Sequence, residues 1–327
     1  MVSFENKKVL FITTKNLDYL RNTQEIKLIE KTAASVEVLG YKDKSYVKRL
    51  IKIYTRLLFK GCKKYDYVFI GFAPQLILPF FKFKFRKNRV VMDFFISVYD
   101  TMVNDRKKFG GKSLAGKMCK VLDKKCIKCA DYIISDTKAH GDYFASEFGV
   151  DRDKIETLYL EADLKIYYPR QQIKPENVRN KFIVLYFGSV LPLQGVEVIM
   201  KMMEKLKDDE RFYFYFIGPV KKNIKKTEGK NIEYIEWLPQ KKLAEYISFA
   251  DLCLAGHFSK EIMKAKRTIP GKAYIYEAMK KPMILGDNLA THELYSEDNM
   301  HYFVEMGNAE ALTQKIIEIE RKHSEEL

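Results

Sequence analysis

Short runs of β-branched and aromatic residues alternate with amphipathic helical segments twice over in this chain, and one polar stretch separates the two series. The first series runs KVLFITT, TQEIKLIEKTAA, SVEVLG, YVKRLIKIYTRLLFKGCKK, YDYVFIGF and a strand from Arg89 to Phe95. It continues through a helix near Ala115 to Ala130, strand DYIIS, a helix through His140 to Phe148 and strand KIETLYL. The second runs FIVLYFG, GVEVIMKMMEKLK, FYFYFIG, NIEYIEW, QKKLAEYISFA, DLCLAG, KAYIYEAM and PMILGD. Periods of two and 3.6 in alternation are what βαβ units and parallel sheets require. Between the series, YYPRQQIKPENVRN has two prolines and no periodicity, as an exposed linker has. The expected fold is α/β, with two Rossmann-like, doubly wound domains facing a cleft: residues 1–172, then 173–307. A closing polar helix, 308–327, carries Ala311, Leu312, Ile316 and Ile317 on one stripe and is expected to pack back on the first domain.

A length of 327 residues and a hydrophobic share of 47% suffice for two cores. The longest apolar stretch, Pro74 to Phe81, is far short of the roughly 20 residues that span a bilayer, and the N-terminus reads as strand, so a cytoplasmic location is expected. Cys119, Cys126 and Cys129 fall on one helical face and read as buried thiols; no second pair or histidine cluster completes a zinc spacing.

The formal net charge is +15, with the excess in the first half. In YVKRLIKIYTRLLFKGCKK, Val47, Leu50, Ile51, Tyr54, Leu57 and Leu58 recur at helical spacing between basic residues. This is either a surface helix with that face in the core, or a helix that meets acidic lipid headgroups, where each nearby cation contributes about 1 kcal/mol. Nucleic acid is not expected as a partner, because no recognition-helix, RNA-binding or zinc-finger pattern accompanies the charge.

In doubly wound domains, ligands bind beyond the carboxyl ends of the strands. The first such loop, TTKNLDY, lacks G-x-G-x-x-G, which argues against a dinucleotide-dependent dehydrogenase. In GSVLPLQG, Gly188, Ser189 and Gly195 bound a loop that opens a helix and suits a diphosphate, though such turns are common in α/β proteins. Further on, His257, Lys264, Lys266, Arg267 and Lys272 gather positive charge before another helix start. Glu277, inside that helix, reads either as a ribose ligand or as solvated surface, and Trp237 with Leu238 as neighbours of the base. In the first half, Asp93, Asp100 and Asp105 with Arg106 follow a strand end. One carboxylate suits a general base for an acceptor hydroxyl, with Asp105 and Arg106 on the acceptor; the alternative is helix capping and a surface Asp105–Arg106 pair. His140 either lines the same cleft or caps its helix.

DFFISVYDTMVNDRK, LDKKCIKCADYIISDTKAHGDYFASEFGV, LEADLKIYYP, YFGSVLPLQGV, NIEYIEWLP, FADLCLAG and KAKRTIPGKAYIYEAM with KPMILGDNLATHEL together resemble glycosyltransferase family 4 over most of the chain. The resemblance implies GT-B architecture, a nucleotide-sugar donor (UDP- or GDP-linked) as co-substrate without other cofactor, retention of anomeric configuration and no essential metal. It places Gly188 and its loop on the phosphate side and Lys272 before the donor helix. Two departures stand out. Gln194 occupies the place of a basic residue, and the paired-glutamate pattern lacks its first member, with Ile275 or Glu277 at the second. The family's sugar-contacting histidine is also missing near Asp93 to Thr101, which leaves Asp100, Asp93 or His140 for that role. A metal-dependent GT-A enzyme, with Asp151 to Asp153 as its D-x-D, is disfavoured because aspartates are common in such turns. A scaffold that binds an anionic membrane or a polyanion without catalysis is the non-enzymatic alternative. The expected activity is sugar transfer to a saccharide or polyprenol-linked acceptor, in cell-surface glycan synthesis at the inner face of the plasma membrane.

Overall fold

The computed structural model describes residues 2–220 and 224–325. The chain forms two compact units, Met1–Glu161 and Ala162–Leu327. The boundary precedes the expected one at 172 because the polar stretch is tied into the second unit: Tyr167 and Val178 are buried, and Lys174 Nζ lies 2.5 Å from Asp251 Oδ2.

The first unit runs β1 (Lys8–Ile12), α1 (Leu20–Glu30), β2 (Ser35–Leu39), α2 (Tyr46–Phe59), β3 (Tyr67–Ile70), α3 (Leu78–Phe81), β4 (Arg89–Asp93), α4 (Leu114–Ile127), β5 (Tyr132–Ser135), α5 (Lys138–Phe148) and β6 (Ile155–Thr157). Its strands are all parallel, in the order β2-β1-β3-β4-β5-β6. Alternate strand residues serve the two faces. Leu10, Val68 and Met92 meet Ile53, Phe81 and Phe144 of the helices α2 to α5; Val9, Phe69 and Val91 meet Ile29 of α1 and Phe4. Ser45 and Thr137 cap α2 and α5 through their hydroxyls, so the capping role considered for His140 falls to Thr137.

Helix α2 is turned from the expected orientation. Arg49, Ile53 and Leu57 face the sheet, while Val47, Ile51 and Leu58 stand 64%, 58% and 57% exposed. Arg49 tolerates burial because carbonyls meet its guanidinium: Nε donates to Thr14 O at 3.2 Å, and Nη1 donates to Asp43 O and Lys44 O.

A second buried arginine joins α1 to β4. Arg21, 1% exposed, donates from Nε and Nη2 to the two carboxylate oxygens of Asp93, each at 3.0 Å, and its Nη1 donates to Leu158 O. Glu25 sits 3.5 Å from Arg21 and is fully buried; burial foremost, then the Asp93 charge, pushes its carboxyl well above the usual range. Arg21 and Asp93 form the ion pair, and burial favours the neutral form of Glu25. Asp93, a candidate base from sequence, is committed to this pair.

The second unit runs β7 (Phe182–Phe187), α6 (Val196–Leu206), β8 (Phe212–Ile217), β9 (Ile232–Ile235), α7 (Gln240–Phe249), β10 (Leu252–Gly256), α8 (Gly271–Ala278), β11 (Met283–Gly286), β12 (His301–Val304) and α9 (Ala309–Glu325). The sheet is again all parallel, ordered β12-β11-β10-β7-β8-β9. Helix α9, for which a crossing to the first domain was expected, buries Leu312, Ile316 and Ile319 in the core of the second unit beside Met203 and Leu206 of α6, because those side chains complete the cover of that sheet face.

Removing Arg21 strands a buried carboxylate. Arg21→Leu should destabilise the first unit by about 3–5 kcal/mol, whereas Glu25→Gln, which keeps a neutral side chain, should cost no more than about 1 kcal/mol. Urea unfolding of the two variants checks this; equal losses would contradict the assignment of the charge to Arg21 and Asp93.

Candidate active site

In the second sheet, β8 and β9 lie to one side of β7, and β10, β11 and β12 to the other, so the strand order reverses between β7 and β10. At such a reversal, doubly wound folds bind ligands beyond the carboxyl ends of the strands. The loop after β7 forms a wall at that edge. Gly188 has φ +142°, and its carbonyl oxygen lies where a side chain on Gly218 would begin, 2.1 Å from an ideal Cβ. Gly195, at φ +64°, opens α6, and a Cβ there would stand 2.5 Å from the backbone at Phe258 and Ser259, the segment after β10. Gly218 and Gly195 are forced by backbone approach, whatever binds alongside.

Lys272, in the first turn of α8, reaches into this wall. It is 6% exposed; its Nζ donates to Gln194 Oε1 at 2.5 Å and lies 4.1 Å from the Tyr186 ring centre. A Cβ on Gly188 would touch its Cε at 3.3 Å. Among the described residues no carboxylate pairs with it, and burial holds its ammonium well below the ordinary lysine range. Gln194, the departure from a basic residue, thus serves as the neutral acceptor for this lysine. Tyr186 went unnoticed in the sequence as one more aromatic strand residue. Its hydroxyl is buried with no hydrogen-bond partner among the described residues and is held protonated by burial.

The other expected donor residues divide. Lys266 and Arg267 lie half-buried in and just after the turn Met263–Lys266 that precedes α8. Ser189 is exposed on the Gly188 loop, and Trp237, 73% exposed, follows β9 at the same sheet edge. His257 is not a cation: burial, then the neighbouring Lys272 charge, lowers it to about 3, and Nδ1 stands 3.4 Å from Thr268 Oγ1. Glu277 does not join the group. It lies late in α8, hydrogen-bonded to Lys280 and to His301 Nε2, both at 2.7 Å. His301 pairs with Met283, the first residue of β11, so Glu277 belongs to the strand-start edge, opposite the Gly188 loop. A 660 Å³ cavity bordered by Lys174, Asp251 and Lys281 lies at that same edge.

In the first unit, two candidates from distant segments come together. Asp100 opens a π-helical turn, Asp100–Asp105, and its Oδ2 lies 4.0 Å from His140 Nε2; His140 Nδ1 lies 2.6 Å from Asp136 Oδ1. Asp100 and His140 are both fully buried, so neither presents an atom at the surface. Asp105 is buried as well and Arg106 exposed, which removes the alternative of a surface pair and withdraws Asp105 from the acceptor side. Asp123 organises this loop and was missed. It accepts hydrogen bonds from Ser97 Oγ (2.7 Å), Tyr99 N (2.8 Å), Val98 N (3.2 Å) and Gln75 Nε2 (2.9 Å). Its spacing three residues before Cys126 on the inward face of α4 was the available signal. Of the Asp151–Asp153 triplet, Asp151 Oδ1 accepts from Asp153 N at 3.1 Å, a capping arrangement. Among the described residues no cluster of histidine, cysteine, aspartate or glutamate is arranged to hold a metal ion.

Residues 181–321 match the family model described as Glycosyl transferases group 1. No curated protein matches the sequence. Among solved structures, the chain is similar to HepE of Anabaena in complex with UDP, at 12% identity, over 97% of this chain and 90% of that one, with a TM-score of 0.64. It is similar to sucrose-phosphate synthase of Thermosynechococcus elongatus at 13% identity, covering 96% and 89%, TM-score 0.65. A glycosyltransferase of Rickettsia africae gives 15% identity, 96% and 88% coverage, and 0.63. The second unit therefore matches the group 1 glycosyl transferase model over residues 181–321, and the whole chain has the two-domain GT-B fold of these structures.

Proposed function

We propose that this enzyme binds the diphosphate of a UDP- or GDP-linked sugar at the β7–β10 switch point. It passes the sugar, with retention of configuration, to a saccharide or polyprenol-linked acceptor in cell-surface glycan synthesis. The observation that carries this reading is Lys272, a buried ammonium with no carboxylate at the start of a helix and against a glycine-bounded loop. Its desolvation is unfavourable until an anion arrives. A diphosphate would favour its charged form, and the N–H groups at the start of α8 would face the phosphate oxygens. As the sugar bond breaks, negative charge grows on the leaving diphosphate, and these fixed groups stabilise it without a metal.

Lys266 and Arg267 are the proposed second cations, Gly188, Ser189 and Gly195 the backbone contacts, and the exposed face of Trp237 the neighbour of the base. Glu277 is left out of this site. HepE, solved with UDP, supports a uridine donor first. The acceptor falls to the first unit, with Arg106 as a contact and Asp100 and His140 as a buried positioning pair; it is proposed to lie on an anionic membrane, at the inner face of the plasma membrane.

Thermal shift against UDP, GDP, ADP and CMP sugars tests the donor. At 100 times its dissociation constant the right one should stabilise by about 2.7 kcal/mol, and slow donor hydrolysis should persist in EDTA. Hydrolysis that vanishes in EDTA and returns with manganese would contradict the metal-free reading; no binding and no hydrolysis would favour a scaffold.

Lys272→Met separates stability from binding. A lysine held below its unfolded range binds fewer protons than the unfolded chain, so its contribution to stability is lost as pH falls from the ordinary lysine range. The methionine variant should therefore melt higher at neutral pH and show a flatter pH dependence, yet bind nucleoside diphosphate about ten- to a hundredfold more weakly, as loss of a charged hydrogen bond requires. Unchanged affinity for UDP by calorimetry would place the phosphate site elsewhere.

A further inference from the structure

We infer that the outer surface of the α2, α3 and α4 layer is a membrane-inserting face, and that its partner is an anionic lipid bilayer. This deepens the membrane-side acceptor proposed above and rests on that reading only for its setting; its own support is surface chemistry, independent of sugar transfer.

The turn of α2 leaves Val47, Ile51, Leu58 and Phe59 outside, the last 88% exposed. Beside it, Phe80 and Phe83 are 57% and 60% exposed, and on α4 Leu114, Met118 and Val121 are 77%, 64% and 51% exposed. The three helices cover one face of the sheet and are joined edge to edge. Tyr54 of α2 packs on Phe81 at 5.0 Å, Lys84 Nζ donates to Leu58 O at 2.6 Å, and Lys82 Nζ donates to Lys128 O at 3.2 Å. Single exposed apolar side chains are ordinary, but a run of them across three adjoining helices marks an interaction surface.

Charge selects the partner. Residues 46–64, 78–89 and 107–128 hold seven, five and eight basic residues, and a single acid, Asp123. Asp123 is fully buried and bonded to Ser97 and Gln75, so these segments themselves expose cations and apolar groups; Lys52, Lys60, Lys64 and Lys120 pair with Asp43, Glu37 and Glu147 of neighbouring segments, and the basic excess outnumbers those three acids. A second copy of the chain would set like charges against each other. A polyanion in water would satisfy the lysines and leave Phe59, Phe83 and Leu114 wet. An anionic bilayer meets both: headgroups take the lysine and arginine ends, which extend outward along their apolar stems, and the acyl boundary takes the aromatic and aliphatic side chains. A 650 Å³ depression along α4, walled by Phe109, Leu114, Met118 and Val121 with Lys117 and Lys125 beside them, is shaped to seat hydrocarbon. Among the described residues no helix is long and apolar enough to cross a membrane, which fits a face that lies in the interface.

The test is co-sedimentation of the full chain with vesicles of phosphatidylcholine alone, or of two parts phosphatidylcholine to one part phosphatidylglycerol, at low and high salt. Three variants change exposed residues only: Phe59→Ser with Phe83→Ser, Leu114→Ser with Met118→Ser, and Lys48→Gln with Lys52→Gln and Arg56→Gln. Circular dichroism and UDP binding report that each is folded. The native chain should bind the phosphatidylglycerol vesicles with a component that survives salt, and each variant should bind about tenfold more weakly. Phe83→Trp should be quenched by brominated lipid beyond the native signal. Apolar variants that bind like the native chain would overturn insertion and leave electrostatic adsorption alone. Absence of binding to either vesicle, or a dimer dissolved by the serine variants, would overturn the bilayer as partner. Donor binding and hydrolysis in solution are read separately, so either failure leaves the glycosyltransferase reading standing.

Discussion

A parallel sheet must be covered on both faces, because its strands are apolar on both sides and each pair is joined by a crossover that lies over one face or the other. In this chain that constraint operates twice, and it fixes where chemistry is possible. Helices occupy the faces, the strand starts carry the returning ends of helices, and only the carboxyl edge is left with loops that open onto helix starts. At the β7–β10 reversal glycines let the backbones of the two loops approach to distances no other residue permits, and Phe258 N donates to Gln194 O at 3.1 Å. Lys272 lies beside them because α8 must begin at that edge to cover the sheet.

The protein treats its buried charges in two ways. Arg21 and Asp93 neutralise each other through two hydrogen bonds, with burial favouring the neutral form of Glu25 beside them, an arrangement that links α1 to β4 and offers nothing to a ligand. Lys272 has only an amide oxygen and an aromatic face for company. A charge buried with its counter-charge is structural, while one buried without it has its free energy lowered only by a partner from outside. The same distinction separates His257 from the cations with which it was grouped. Deep burial beside Lys272 makes the imidazole neutral, so it contributes shape and no field.

The two faces of the first sheet differ in a way that also follows from packing. Helix α2 is amphipathic on more than one side, and the side with Ile53 and Leu57 won the core because Arg49, on the same face, finds three backbone carbonyls there. Its remaining apolar residues are left outside among lysines. The basic excess of the chain therefore lies over an apolar surface, and the two properties act together on whatever meets that face.

By itself, the sequence determined the alternation of strand and helix, the division into two parallel sheets, the glycine-bounded loop after β7 and the place of Lys272 at a helix start. These are local signals: periodicity, φ-positive glycines and a cation beside a helix start are written within a few residues. Tertiary structure decided the rest. It bound Asp93 to Arg21, brought Asp100 to His140, put Glu277 at the strand-start edge with His301, gave Lys272 the uncharged Gln194 as its partner and drew the linker into the second unit. Each of those outcomes depends on a residue tens of positions away or on which face of a helix meets the sheet. A sequence pattern gives the angular spacing of side chains on a helix but not the rotation at which it docks, and burial, with the pKa shifts it brings, exists only after docking.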